Sequence, residues 1–494
     1  MRDFLLIFII CLSVFASRTL NLTKIPIFTD EAIYIRWAQI GLNDPAHRFI
    51  SLTDGKQPLM TWAMYPFLKI MEDPLIAGRM VSVLSGVLSA AGLYLLALHL
   101  FNRRTAVWTG LIYLFTPFAL VYDRLALMDS LLLSLAVWSL YLEVLLVKKR
   151  QLDIALLLGM VIGLGLLTKS SAFFFIYLMP FSLLLFNWQR KNNFKSLLKW
   201  SGLSLLSILL AHIIYNSLRL SPFFYIIEQK NYSFIYTLSD FLDRPFSVLR
   251  PNLNGLTQML LSYFSWPFIS VILIALILAL IRKDRRIPYL LLWFIIPFLS
   301  LAAFGKVLFP RFLLFMTVPF YLVAADFLSG MTSFARDKAK YLYLVPAVVL
   351  APLVINSYLV SFRPLEARIP DSDRNQLLND WPSGYGVNQV ISFIEKEAAG
   401  KEIVLATEGT FGLNPAVYEI YLKQNENITI KGYWPVDSGK EELIGFASEK
   451  PTYLVLKDSQ KLSDDWPAEL IFRIRRGTGD SYLYFFRIKP VPEL

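Results

Sequence analysis

"AGRMVSVLSGVLSAAGLYLLALHLF", residues 77–101, carries one fixed charge, Arg79, in 25 residues. As a helix it would rise about 37 Å. A hydrocarbon core about 30 Å thick needs only ~20 mostly apolar residues, so this stretch reads as a membrane crossing. The reading decides the fold because the pattern recurs. Eleven such windows fall at about 4–20, 75–99, 105–122, 126–147, 152–169, 171–188, 197–219, 256–281, 288–304, 308–329 and 341–361, the fifth and sixth separated only by "TKSS". Composition agrees: 56% of the 494 residues are hydrophobic and 17% charged, well to the apolar side of water-soluble domains. The single cysteine, Cys11, rules out an internal disulfide and a thiol metal cluster and leaves the compartment open.

The net charge of +11 is unevenly spread. Residues 363–494 hold 16 Lys and Arg against 20 Asp and Glu, which leaves 32 against 17 in residues 1–362. The basic excess therefore belongs to the membrane half, where it sets orientation, and no nucleic-acid partner is expected. Basic clusters stand between alternate windows: "NRR" (Asn102 to Arg104), "KKR" (Lys148 to Arg150), "QRKNNFK" (Gln189 to Lys195), "RKDRR" (Arg282 to Arg286) and "ARDKAK" (Ala335 to Lys340). If the helices simply alternate, all fall on one side, and the positive-inside rule makes that side cytoplasmic. The amino terminus is then inside and the carboxyl domain outside, in a prokaryotic plasma membrane rather than the endoplasmic reticulum. The first window also has the basic start, apolar middle and small-residue end of a cleaved signal peptide. An uncut helix is preferred because it keeps Asp30 and Glu31 tethered at the outer surface.

Two outer loops are long. The first, about 21–74, contains "EAIYIRWAQIGL" and "PLMTWAMYPFLKIM", whose helically spaced apolar residues predict helices lying in the membrane interface. The second, about 220–255, is aromatic-rich and suits another interfacial segment or a lid. After Arg363 the pattern turns soluble. "VNQVISFIEKEAA" reads as a helix, "EIVLATEG" as a strand, "NPAVYEIYLKQ" as a helix, and "ITIKGYW", "TYLVLK", "LIFRIRR" and "SYLYFFRIK" as strands, with "GYG" (384–386) a turn. The expected fold is a membrane all-α bundle of about eleven transmembrane helices with interfacial helices in the first outer loop, plus a C-terminal soluble α/β domain. The domains are 1–362 and 363–494.

Charges near helix ends sort by side. Glu143, Asp153 and Asp326 fall near cytoplasmic ends, where solvated helix termini are expected. The outer side collects Asp30, Glu31, Lys56, Arg79, Asp123 and Arg124. Asp129, Lys169, Arg219, Lys306 and Arg311 fall there too. Cations can hold a lipid phosphate and stabilise it as a leaving group, and a carboxylate can take the proton of an attacking hydroxyl. Asp129, one turn into a membrane helix, is expected to pair with Lys56 or Lys169, to orient the site, or to bind a metal with Asp30.

These residues sit in motifs that resemble a known family. "TDEAIYIRWA" (29–38) followed by "KQPLMTW" (56–62) is similar to the first outer loop of the C-type membrane glycosyltransferases, especially protein O-mannosyltransferases and lipid A aminoarabinose transferases. "AGRMVSVLSG…" resembles their second helix, and "YDRLALMDSLL" (122–132) their third-to-fourth helix connection. "GLGLLTKSSAFF" (163–174) resembles a Gly-Leu-x-x-Leu-Thr-Lys-Gly motif, and "FPRFLLFMTVPFYLVAA" (309–325) a later Arg-Tyr-x-Leu-Pro helix. The motifs keep the family's order over about the first 330 residues. Two positions depart from the pattern: Gln57 stands where Pro is usual and Ser170 where Gly is usual.

The resemblance implies sugar transfer from a polyprenyl phosphate to an acceptor hydroxyl on a protein, lipid or glycan, with inversion. It implies that Asp30 is the general base, with Glu31 and Asp129 assisting, and that Lys56, Arg79, Arg124, Lys169 and Arg311 contact the donor phosphate. "TDEA" is also a good helix start in which Thr or Asp caps backbone N–H groups and Glu31 favours the amino end. A divalent cation would suit the carboxylates, but the family includes metal-independent members, so the metal is left unassigned. His47, His99 and His212 are too dispersed to suggest a zinc site, and sequons occur at Asn21, Asn231 and Asn427. A transporter or flippase of an anionic or lipid-linked substrate is the alternative class, weakened by charges that gather at one surface rather than near the midplane.

Overall fold

A computed structural model describes residues 1–189, 193–244, 246–338 and 344–490. Parts of two expected basic clusters, residues 190–192 and 339–340, lie outside the described residues, as do Pro245 of the second outer loop and residues 341–343 of the last window. The chain forms two compact units. The first comprises Met1–Asn21, Ala46–Ala63 and Arg79–Pro370; the second comprises Leu22–Pro45, Met64–Gly78 and Asp371–Leu494.

In the first unit α1 spans Arg2–Thr19. Helix α2, Thr29–Asn43, belongs to the second unit, and α3, Leu59–Ile70, and the start of α4, Pro74–Leu100, carry the chain between the units. There follow α5 (Arg103–Phe115), α6 (Met128–Lys149), α7 (Leu152–Leu166), α8 (Asn193–Asn216), α9 (Ile226–Phe234) and α10 (Leu249–Phe264). Then come α11 (Trp266–Ile281), α12 (Arg286–Phe304), α13 (Val318–Lys338) and α14 (Leu344–Phe362). Six helices are long and apolar enough to cross a membrane, or seven if α10 and α11 count as one span bent by 108°. The protein is thus a multi-pass membrane protein.

Where a window does not make one straight helix, local chemistry explains it. Ser265 takes φ 62° between α10 and α11, just ahead of Pro267. The 105–122 window breaks at Thr116 because Pro117 lacks an N–H and starts a new short helix, Pro117–Tyr122. The 171–188 window is mostly tight 3-10 turns around Pro180. Helix α6 is central, with 89% of its apolar window buried, whereas α8 is peripheral, with 22%. The two still approach through α7: a Cβ on Gly159 would meet the Ser207 carbonyl oxygen at 2.8 Å, and one on Gly163 would meet Ile214 at 2.7 Å. Small residues four apart let the α7 and α8 backbones touch, the usual way helices associate in lipid.

In the second unit a five-stranded sheet runs in the order β2-β1-β3-β5-β4, with β1 (Ile403–Glu408), β2 (Ile428–Tyr433), β3 (Thr452–Leu456), β4 (Ala468–Arg475) and β5 (Tyr482–Ile488). β1 pairs in parallel with β2 and β3, while β5 runs antiparallel to β3 and β4. The expected helices are α15 (Val387–Glu397) and α16 (Leu413–Leu422), and α17, Lys440–Glu449, is an addition. Its "KEELIGFASE" is too polar and short to signal a helix, yet Leu443 is fully buried against Val404, Leu454 and Trp466.

Helix α2 corrects an expectation. Its apolar residues, among them Ile35, Trp37 and Ala38, are buried in protein rather than laid in a lipid interface. Their cover includes α16, tied by an Arg36–Glu419 ion pair at 2.7 Å and by Gln39 donating to the Ile420 carbonyl at 2.9 Å. An amphipathic pattern states that one face needs cover; it does not say whether lipid or protein supplies it.

Candidate active site

Asp129 lies in the first turn of α6, where the helix amino end favours a carboxylate. Lys169 follows α7 and sends its ammonium to Asp129 Oδ1 at 2.7 Å, which settles the pairing left open between Lys56 and Lys169. Asp129 is nearly sealed at 5% exposure, but Lys169 keeps 23%. The same ammonium stands 4.6 Å over the ring of Phe312. Phe312 meets Phe234 and Phe309 edge-on, at 6.1 and 5.6 Å between centroids. Lys56 Nζ sits 5.3 Å over Phe234, and the Arg311 guanidinium 4.7 Å over Phe309. Three expected phosphate-binding cations thus share one run of rings. Each cation–π contact contributes on the order of 0.5–2 kcal/mol. The rings line the three cationic groups up along one surface.

The residues next to Lys56 and Lys169 bind each other. Gln57 Nε2 donates to Ser170 Oγ at 2.8 Å, and Asn231 Nδ2 of α9 donates to the same oxygen at 3.2 Å. The two departures from the family pattern are therefore partners: Pro at 57 would have no side-chain donor, and Gly at 170 no acceptor. Lys230 of α9 pairs with Asp54 at 2.5 Å, and Leu59 N–H donates to Leu167 O at 3.0 Å. The aromatic loop after residue 220 is in this way fastened beside both lysines.

A second acid–base pair was not foreseen. Arg18, in the last turn of α1, is fully buried and donates from Nε to Asp123 Oδ2 at 3.1 Å. Its other nitrogens donate to the carbonyls of Leu114 at 2.7 Å and Tyr113 at 3.1 Å. Asp123 also accepts from Tyr113 Oη at 2.9 Å and Ser130 Oγ at 2.5 Å. A Cβ on Gly86 would stand 2.6 Å from Asp123 Oδ2, so only glycine leaves room for the carboxylate. In sequence Arg18 looks like an ordinary terminal arginine; the signal available was a second charge, Asp123, at the end of another apolar window.

Arg79 is fully buried. Arg124 spends its terminal nitrogens on Leu20 O at 2.8 Å, Asn21 O at 2.5 Å and Ser361 Oγ at 3.1 Å, fastening the end of α1 to α14. Glu143 is not the solvated helix terminus expected: it is 1% exposed and accepts from Tyr289 Oη at 3.4 Å, because α6 is enclosed up to its exposed final residues Lys148 and Lys149. Asp153 is exposed as expected, and Asp326 is half-buried.

Asp30 and Glu31 lie in the second unit, so the first unit gathers Lys56, Asp129, Lys169 and Arg311 without them. Glu31 is fully buried and its Oε2 accepts the Phe28 N–H at 2.9 Å. The cap of α2 thus comes from Glu31, not from Thr29 or Asp30. The Thr29 hydroxyl donates instead to Pro382 O at 3.0 Å, and Gly384 of the "GYG" turn donates to Ile27 O at 2.8 Å. These bonds pin the start of α2 and leave Asp30 partly exposed. Among the described residues no group of three or more His, Cys, Asp or Glu side chains could hold a metal ion. Asn21, Asn231 and Asn427 of the three sequons each donate a side-chain hydrogen bond within the protein.

Residues 55–215 match the family model described as dolichyl-phosphate-mannose-protein mannosyltransferase, a span that contains Lys56, Arg79, Arg124, Asp129 and Lys169. The chain shares its fold with the solved structures of ArnT from Cupriavidus metallidurans. Among solved structures similar to it is ArnT from Cupriavidus metallidurans bound to undecaprenyl phosphate, at 14% identity and TM-score 0.58, covering 98% of this chain and 97% of that one. The Archaeoglobus fulgidus oligosaccharyltransferase, in complex with Zn and sulfate, is similar at 16% identity and TM-score 0.55, covering 91% of this chain and 67% of that one. No curated protein sequence matches the chain significantly.

Proposed function

We propose that this C-type fold is an integral membrane glycosyltransferase that moves a sugar from a polyprenyl phosphate to an acceptor hydroxyl on the extracytoplasmic side, with inversion. The observation that carries the reading is the Asp129–Lys169 pair set on the aromatic run that also bears Lys56 and Arg311. Lysine and arginine groups gathered along one run of rings are donors of the kind that hold a phosphate by charge-assisted hydrogen bonds. The ArnT structure with undecaprenyl phosphate supports a polyprenyl carrier.

In this reading Lys56, Lys169 and Arg311 bind the donor phosphate, and Asp129 fixes Lys169 in place. Arg79 adds positive charge, and Arg124 acts by holding the end of α1. Asp30 takes the proton as the acceptor oxygen attacks the anomeric carbon. The carbon–oxygen bond to phosphate breaks, and the polyprenyl phosphate leaves with its growing charge met by the cations. Glu31 serves by capping α2. The seven long spans, counting α10 and α11 as one, together with α1 and the shorter apolar stretches 103–122, 152–166 and 170–185, make eleven crossings, with the basic clusters in the cytoplasm and residues 363–494 outside, in a prokaryotic plasma membrane. The acceptor is a hydroxyl of a protein, lipid or glycan.

Purified protein given a polyprenyl-phosphate sugar should release polyprenyl phosphate, and Asp30→Asn should abolish release while the thermal unfolding profile stays unchanged. Ordinary turnover by that variant would remove Asp30 from the role of base.

A further inference from the structure

A large cavity lies away from the proposed transfer site. It has a volume of about 930 Å³ and is walled by the first residue of α1, the starts of α5 and α12, the end of α11 and the late turns of α13. Along α13 the cavity is on the order of 25 Å from Arg311 by helix rise. Five arginines line it: Arg2, Arg103, Arg104, Arg282 and Arg286. Two are matched by carboxylates. Arg103 holds Asp3 with bonds of 2.6 and 2.7 Å, and Arg286 holds Asp284 at 2.7 Å. Among the described residues Arg104 donates only to a neutral partner, Ser333 Oγ at 2.7 Å, and Arg2 and Arg282 make no ion pair. Against these three unmatched cations the wall offers one further acid, Asp326.

Ordinary positive-inside charge does not require a cavity. Here the two clusters "NRR" and "RKDRR", 180 residues apart, are folded around the same space. One side of that space continues into lipid-compatible surface. Leu278 and Ala275 of α11 line it, while Ile277, Leu280 and Ile281 on the same helix are 57–72% exposed, and Phe334 at its mouth is 53% exposed. A charged chamber opening onto an apolar helix face fits a molecule with an anionic head and hydrocarbon tails. Arginine forks match phosphate oxygens two at a time, and basic pockets between membrane helices are known to take lipid head groups.

The geometry points to a binding site for the phosphate headgroup of an anionic phospholipid, in the leaflet opposite the transfer site, held by Arg2, Arg104 and Arg282 with its tails along α11. The inference rests on the helices crossing a membrane and is independent of sugar transfer. It is tested by native mass spectrometry of the purified full chain exchanged into phosphatidylglycerol or phosphatidylcholine. About one phosphatidylglycerol should stay bound per protein, phosphatidylcholine should wash off, and Arg104→Gln with Arg282→Gln should lower retention at least tenfold. Arg282→Lys, at an exposed position that keeps the charge, should retain most binding and guards against loss of fold. Equal retention of both lipids, or unchanged retention in the double variant, overturns the site. Release of the lipid by millimolar inorganic phosphate would overturn the lipid assignment in favour of a free anion.

Discussion

Two acid–base pairs have acids six residues apart in sequence, Asp123 ahead of α6 and Asp129 in its first turn, and they differ in one property. Arg18–Asp123 is fully buried on both sides, with every Asp123 oxygen supplied by neighbours. Lys169–Asp129 has a sealed acid and a partly open base resting on an aromatic face. The first is closed to any ligand, so it serves as a lock between α1 and the bundle. The second leaves a cation positioned and reachable. Burial of the cation separates structure from chemistry here, since both acids are enclosed.

The comparison breaks most visibly at the lock. Asp123→Ala leaves a buried guanidinium without its counterion, so stability should fall by about 3–5 kcal/mol. Thermal unfolding of detergent-solubilised protein checks this, and a combined Arg18→Met and Asp123→Leu variant should recover much of the loss. At the open pair the balance reverses. Lys169→Met should reduce turnover by ~10²–10³, as removal of one charge-stabilising donor does, while stability should fall by less than at the lock, since only the acid of this pair is enclosed. Loss of fold with unchanged activity per folded molecule would make Lys169 a second lock.

The node beside that pair gives a smaller effect. Gln57→Pro or Ser170→Gly alone should each weaken the fastening of α9, and the two together should cost less than their sum by about 1 kcal/mol, the coupling expected of contacting residues. A double-mutant cycle on unfolding and on KM measures it. The smallest effect concerns a lysine of the second unit that is held as Lys169 is. Lys457 stands 4.6 Å over Trp381 and 5.9 Å from the ring of Trp434. Burial lowers its pKa below the ordinary lysine value. Between that lowered value and about 10.4 the unfolded chain binds more protons, so the unit should gain stability as pH rises through this window. Amide exchange of β3 in the full chain should slow accordingly, and Lys457→Met should flatten the trend.

Much of this molecule was legible in the sequence because the signals are local. The run at 77–101, the alternation of strands after Ile403 and the helices α15 and α16 follow from patterns that any short window contains. Of the five basic clusters, Asn102–Arg104 and Arg282–Arg286 supply residues to one cavity. The order of family motifs pointed to Lys56, Arg79, Arg124, Lys169 and Arg311 together with Asp30, Glu31 and Asp129; of these the folded first unit joins Lys56, Lys169 and Arg311 through Phe234, Phe309 and Phe312, with Asp129 on Lys169.

What the tertiary structure alone decided is who stands opposite each charge and each apolar face. Arg18 reads as a helix-end anchor until Asp123 is brought to it, and Glu143 as solvated until α6 is enclosed and Tyr289 meets it. Glu31 turns out to cap its own helix, and the face of α2 is covered by α16 rather than lipid. The sequence by itself determined that these groups exist at helix ends and how often apolar residues return. Except for Glu31, whose partner Phe28 is three residues away, their partners come from residues 100 or more positions away, and the free energy of a charge or an apolar face depends on that partner.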